Sequence, residues 1–341
     1  MNSKQLGRKL NELVAEGVFT KYYVEAGQLS SDLRFDLGNA ADFEYFDLAS
    51  LSKALVTSPL VFQLVVENQI SLEDSLGDFK GLFPEKYRNI LVADLLSHQS
   101  GLPAWRNFWI DTLPRSCNSV SERYILVRQV LERISTPNLG ENPKKVVYSD
   151  IGFIILGVLL EHVTGKPLDK IWEDFAKSFP RMNLTEKLIF SNHLDGKATI
   201  PTGYCNVRGT SLDGLVHDEN CAALGGVSGH CGLFGQPKSV GQFIRSMWQS
   251  QNGRLFFEKN YADGWKTGRW LGLRPGDDVS SEVFGNGRSF GHLGFTGCAF
   301  WIDLDRETYA VFLTNRTIAG RVNLEFKYIR RSVFSTVQEL L

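Results

Sequence analysis

Leu6, Leu10 and Leu13 recur among charged residues between positions 3 and 16, which is the spacing of an amphipathic helix, and Gly17 marks its end. Two short strand-like segments follow, TKYYVEAG and LRFDLG, separated by Ser and Asp, and they predict the edge of an antiparallel sheet. From Leu51 to about Asn68 the period turns helical. Helix-like segments then dominate to about Ile189, broken at Pro84, Pro103, Pro114, Pro137 and Pro143. After Phe190 the chain is richer in Gly and loops. It ends on two strand candidates, CAFWIDL (298–304) and TYAVFLTN (308–315), joined by a DRE turn, and on a helix from about Asn323 to Leu341 in which Phe326, Ile329, Val333 and Val337 share a face. The pattern predicts an α+β fold. Both chain ends supply a helix to an antiparallel sheet in one lobe, about 1–49 and 190–341, and the middle, about 50–189, forms a helical lobe.

Composition narrows the class. The chain has 341 residues, 43% of them hydrophobic, enough for a sizeable core, and its formal net charge is −1. No block of like charge is present, so nucleic acid and anionic membrane surfaces are not expected partners, and a small-molecule or peptide substrate is. Oligomeric state is not legible. The longest apolar run, Ile151 to Leu160, is well short of the roughly 20 residues that cross a bilayer and reads as a buried core segment. The first residues mix charge throughout, with no apolar secretory core, and the five cysteines include no C-x-x-C; both suggest a cytoplasmic protein.

Candidate chemistry begins at FDLASLSKAL (46–55). A serine hydroxyl needs a base within hydrogen-bond reach to act as a nucleophile, and Ser50 and Lys53 lie three residues apart on one helix face. The positive end of the helix dipole and burial would both disfavour the charged lysine. The competing explanation is that Ser50 caps the helix and Lys53 is solvated. Two further segments favour chemistry. VVYSDIGF (146–153) sets Tyr148 and Asp150 before the apolar run, where a phenol could relay a proton. FGHLGFTGCAFWID (290–303) carries three glycines that would let a substrate backbone lie against the sheet edge. His217, Cys221, His230 and Cys231 fit no zinc spacing, so no metal is expected, and acyl transfer by a serine would require no organic cofactor. Within the HDEN run at 217–220, cleft lining and structural hydrogen bonding are both open.

In order, Ser-x-x-Lys, Tyr-x-Asp and His-x-Gly resemble the three signature elements of the serine β-lactamase and penicillin-binding protein superfamily, in its class C-like branch. VADLLSHQSGLPAW (92–105), VHDENCAALGGVSGHCGLFG (216–235) and LTNR (313–316) extend the resemblance over nearly the whole chain. It implies a β-lactamase-like fold in a single domain of two lobes, 1–341, with the active site between them. It also implies that Ser50 is acylated, that Lys53 and Tyr148 move the proton, and that the N–H groups of Ser50 and Phe295 form the oxyanion hole. His292, Gly294, Asp150 and Trp105 become substrate-binding or supporting residues, with Trp105 and Arg106 on a loop overhanging the cleft.

Two departures bear on substrate. His292-Leu293-Gly294 stands where most β-lactamases have Lys-Thr-Gly, which weakens recognition of a penicillin carboxylate; histidine versions occur among esterases and peptidases of the family. Asp150 stands where class C enzymes have asparagine and could pair with Lys53, keeping it charged. The choice of base between Lys53 and Tyr148 stays open at this point. A carboxylesterase or D-amino-acid peptidase is the expected activity. A class C-like β-lactamase and a non-hydrolytic acyl-binding or scaffold protein are the alternatives.

Overall fold

The computed structural model describes residues 2–112, 116–134, 146–179, 183–262, 284, 288–323 and 325–341. The breaks expected at Pro114, Pro137 and Pro143 lie outside them. The strands are β1 (Tyr22–Gln28), β2 (Arg34–Gly38), β3 (Phe46–Asp47), β4 (Leu188–Phe190), β5 (Tyr204–Cys205), β6 (Thr210–Ser211), β7 (Leu233–Gly235), β8 (Ser289–Leu293), β9 (Ala299–Asp303) and β10 (Thr308–Thr314). Five build an antiparallel sheet in the order β2-β1-β10-β9-β8, with Val24 opposite Phe312 and His292 opposite Phe300. The expected β9–β10 hairpin forms, β2 and β8 are the edges, and β1 sits between β2 and β10.

Alternation along these strands divides the core in two, because successive side chains point to opposite faces. Tyr22, Val24, Ala26, Trp301 and Phe312 pack with Leu6 and Leu10 of the helix Ser3–Ala15, and with Val333, Phe334 and Val337 of the helix Phe326–Leu340. Tyr23, Phe300, Ile302, Tyr309, Val311 and Leu313 face the other way and join the middle helices. With both faces covered, the central strands read as continuous apolar runs. Each fully buried aliphatic or aromatic side chain is worth about 1.5–3 kcal/mol.

Two helices place the chemistry. The chain is helical from Leu51 to Val66 and widens into a π turn over Lys53–Thr57, a distortion common at functional sites that the sequence period does not reveal. The helix Asp150–Thr164 holds the apolar run, buried from Ile151 to Glu161 as expected; Ser149 caps it and Gly165 ends it in the left-handed region. Backbone packs against backbone where this helix meets the loop before β7: a Cβ on Gly229 would sit 2.1 Å from the Phe153 carbonyl oxygen, and one on Gly157 would sit 2.7 Å from the Gly229 nitrogen. That approach seats residues 228–230 against the π turn, where Thr57 donates to the Gly229 carbonyl at 2.6 Å. Among the described residues no single helix is long and apolar enough to cross a membrane.

Candidate active site

Ser50 follows β3 on a strained turn. Ala49, a residue with a Cβ, takes φ 48°, in the left-handed region that non-glycine residues rarely occupy. The neighbourhood over-determines that conformation. The buried Asp47 carboxylate accepts from the Ala49 N–H at 2.8 Å and the His217 N–H at 2.7 Å, and the Asp47 carbonyl accepts from Thr296 Oγ1 at 2.7 Å. Ser52 donates to the Ala49 carbonyl at 2.7 Å and accepts from the Leu233 N–H at 3.1 Å. Burial pushes the Asp47 carboxyl up to about 6 in spite of its two N–H donors.

Lys53 lies beneath Ser50, 1% exposed, and its ammonium is fully partnered: Ser50 Oγ at 3.0 Å, the His230 carbonyl at 3.1 Å and Asp150 Oδ1 at 2.8 Å. Burial by itself would lower this amine. Asp150 and Tyr148 outweigh it and hold Lys53 above the ordinary lysine range. The expectation that dipole and burial would discharge Lys53 is therefore overturned, because Asp150 sits in direct contact with it. The alternative in which Lys53 is a solvated surface lysine also fails.

Tyr148 lies in the extended segment before the helix Asp150–Thr164, with the Lys53 ammonium 5.0 Å from its ring centroid. Burial raises its phenol, while Lys53 and hydrogen bonds to Lys53 and Ser50 pull it back. His98, on a left-handed turn, holds the segment: its carbonyl accepts from the Val147 N–H at 2.9 Å, its Nδ1 from the Ser149 N–H at 3.0 Å, and its ring lies 4.6 Å from that of Tyr148. His98 is thus a turn residue that also seats a candidate site side chain.

Ser50, Tyr148, Asp150, His292, Gly294, Phe295 and Trp105 all line one cleft of about 570 Å³, so the structure brings the expected site residues together, with Lys53 behind Ser50. Arg106 is not among the residues lining it. Among the described residues no hydrogen bond engages the Ser50 or the Phe295 N–H. The glycines of 290–303 serve a different purpose from the one expected. The positions a Cβ would take lie 2.0 Å from the Phe300 carbonyl oxygen for Gly291, 2.7 Å from that of Leu48 for Gly294 and 2.1 Å from Thr314 Oγ1 for Gly297, so their space is filled by the protein's own chain. His292 is buried, with Nδ1 2.9 Å from the Leu293 carbonyl and its ring 6.0 Å from that of Tyr148.

The HDEN run does both things considered for it. His217 and Asp218 line the cleft. Asn220 accepts from the Phe108 N–H at 2.7 Å, and Glu219 takes both guanidinium nitrogens of Arg321. Burial, helped by Arg321, lowers His217 to about 4; burial opposes ionisation of Asp218, but His230 at 2.9 Å prevails and holds it at about 2. Cys221 and Cys231 are buried free thiols. Sequence reasoning missed Asp47, the carbonyl of His230, and the arginines at 316, 321 and 330 that line the cleft. Only Arg316 had a signal, as the last residue of LTNR.

Comparison with known proteins agrees with this architecture. A family model described as beta-lactamase matches residues 38–333. The putative D-alanyl-D-alanine carboxypeptidase of Salmonella agona (strain SL483) is 27% identical over 311 residues, 80% of this chain and 69% of that protein. Two solved structures share the fold, each with a TM-score of 0.67. EstCE1, a hydrolase with promiscuous acyltransferase activity, is 15% identical, with 98% of both chains covered. The D-amino acid amidase from Ochrobactrum anthropi SV3 is 16% identical, with 98% of this chain and 97% of that one covered. The chain belongs to the beta-lactamase family, and it is a hydrolase of the serine β-lactamase and penicillin-binding protein superfamily.

Proposed function

We propose that this hydrolase is a carboxylesterase, or a peptidase acting on D-amino-acid-containing peptides, that works through an acyl-Ser50 intermediate. The observation that carries the reading is the contact chain from Ser50 Oγ through Lys53 to Asp150, with Tyr148 against it, opening on a cleft large enough for a small ester or dipeptide. Ser50 Oγ attacks the carbonyl carbon and the carbonyl electron pair moves onto oxygen, where the Ser50 and Phe295 N–H groups receive it. Two such donors are typically worth about 3 kcal/mol each in the transition state. The serine proton passes to the Lys53–Tyr148 pair in the form that has lost one proton. Lys53 is held charged by Asp150, so the phenolate of Tyr148 is the acceptor and then protonates the departing alkoxide or amine. Water, activated by the same pair, releases the acyl group and returns the proton to Ser50.

A carboxypeptidase relative and an amidase of the same fold support the peptide side of the reading, and EstCE1, a hydrolase with promiscuous acyltransferase activity, supports acyl transfer in this fold. A β-lactamase ranks below both because aliphatic Leu293 lines the cleft beside His292, where a polar side chain would hold a penicillin carboxylate. Intact mass after incubation with a fluorophosphonate and a fluorescent penicillin tests the nucleophile: the wild type is expected to gain one adduct and Ser50→Ala none. Steady-state rates on p-nitrophenyl esters, a D-Ala-D-Ala peptide and nitrocefin rank the substrates. A nitrocefin rate well above the other two would overturn the preference.

A further inference from the structure

The sheet order leaves two edges, and they stand in different surroundings. β8 carries His292 beside the cleft. β2 is the opposite edge, and among the described residues β1 is its only partner. Alternation of the antiparallel ladder decides which of its backbone groups are used. Gln28 donates to the Leu33 carbonyl at 3.0 Å and Asn39 to the Tyr22 carbonyl at 3.1 Å, so Leu33, Phe35, Leu37 and Asn39 bond inward to β1. The N–H and C=O groups of Arg34, Asp36 and Gly38 therefore turn outward, and these three are the exposed residues of the strand.

The side chains of this edge are not balanced within the chain. Asp36 lies directly opposite buried Glu25, a like charge, and among the described residues no cation comes within ion-pair distance of it. Arg34 reaches Glu25 only at 3.9 Å. Leu33 is 67% exposed, and Phe35 and Leu37 are half-buried. Charge on an edge strand ordinarily discourages pairing with another strand. Here it singles out one register.

We infer that β2 is a self-pairing edge: it joins the β2 of a second copy of this chain, antiparallel, about a two-fold axis at Phe35, and merges two five-stranded sheets into one. In that register Arg34 lies opposite Asp36 of the second copy, and Asp36 opposite its Arg34. Both are hydrogen-bonded pairs, because outward-turned groups meet outward-turned groups. On the other face Phe35 meets Phe35 and Leu33 meets Leu37, with Cα atoms about 4.5 Å apart in each pair. The neighbouring registers fail. A slip of one residue opposes outward-turned groups with inward-turned ones and flips every side chain. A slip of two sets Asp36 against Asp36 or Arg34 against Arg34. Both clefts stay open at the far edges of the joined sheet, so the inference stands apart from the acyl-hydrolase reading.

Sedimentation velocity of the full chain from about 1 to 100 µM measures the association, with half-dimerisation expected near about 10 µM, the weak end for a small interface. Asp36→Arg sets like charges together in both pairs and should weaken the dimer about tenfold or more; adding Arg34→Asp restores opposite charges in exchanged places and should recover it. Under oxidised glutathione, which takes up the two electrons and two protons as it becomes two thiols, Phe35→Cys should link two copies through one disulfide. Leu33→Cys, more exposed but set away from its own counterpart by the register, should not. Melting curves identify the folded variants, and the cysteine comparison alters no charge, so the test holds if a charge variant does not fold. A monomer up to about 100 µM overturns the pairing. So does a dimer indifferent to Asp36→Arg, a folded double swap that stays monomeric, or equal cross-linking at 33 and 35.

Discussion

Replacing Asp150 with asparagine removes the ion pair that, with Tyr148, sets the charge of Lys53 beneath the proposed nucleophile, Ser50. At 2.8 Å and an effective dielectric of about 20, the Lys53–Asp150 attraction is about 6 kcal/mol, a ceiling of about 4 pKa units on the lysine. The asparagine oxygen would still accept from the ammonium, retaining about 1.5–3 kcal/mol, and the 20% exposure of the Asp150 side chain admits further screening. The expected fall in the Lys53 pKa is about 2 units. Acylation needs the Lys53–Tyr148 pair to lose one proton, so the wild-type rate should climb with pH and reach no plateau below the ordinary tyrosine range near 10. In Asp150→Asn the pair ionises sooner, and the rising limb should move about 2 units toward acid. Stopped-flow acylation by a p-nitrophenyl ester from about pH 5 to 10 reads the limb directly. An unmoved limb, or a wild-type plateau already reached by about pH 7, would refute the coupling between Lys53 charge and proton transfer. Stability carries the same sign. A raised lysine pKa stabilises the fold fully below the ordinary lysine value and ceases to do so as pH rises through the folded value, so the variant's loss should be largest near neutrality and shrink above about pH 10.

Asp47→Asn leaves one of two buried N–H groups without an acceptor, a penalty of about 1–3 kcal/mol that loosens the Ala49 turn; acylation kcat should fall about ten- to hundredfold in stopped-flow assays. Because burial raises Asp47 to about 6, ionising it weakens the wild-type fold as pH rises through that value, and denaturant midpoints between about pH 4 and 7 should show this slope flattened in the asparagine variant. His98→Ala removes the acceptor for the Ser149 N–H and the ring beside Tyr148, and kcat on a p-nitrophenyl ester should drop about tenfold with little change in KM. Gly229→Ala drives a methyl to 2.1 Å from a backbone oxygen, so urea unfolding should show a loss of about 3 kcal/mol or more.

Much of the site was legible because its parts are local. Ser50 and Lys53 meet through an i, i+3 offset, and Tyr148 and Asp150 stand directly before a long apolar helix, so both pairs can be read without knowing the fold. Ser52 is only spacing within Ser-x-x-Lys along the chain, yet it ties the Ala49 turn to β7, a role visible only once residues 52 and 233 are side by side. The 290–303 glycines were legible as glycines but not in purpose, because what fills the space at each is β9, β10 or the turn after β3.

What the sequence determined by itself is the terminal helices, the buried helix after Asp150, the strands near both ends of the chain and the faces they bury, since side-chain direction repeats every 3.6 residues in a helix and every 2 in a strand, and that period is written in neighbouring residues; the helices Ser239–Gln249 and Gln251–Ala262, in a stretch read as Gly-rich loops, were not among them. It also supplied the two local pairs of the candidate site, Ser50 with Lys53 and Tyr148 with Asp150, each closely spaced along the chain. The tertiary structure alone decided their charges and surroundings: that Asp150 keeps Lys53 protonated, that Asp47 braces a strained alanine, and that an arginine at position 316, 266 residues beyond Ser50, shares its cleft. Electrostatic energy depends on distance through space and on burial, and neither is a function of separation along the chain.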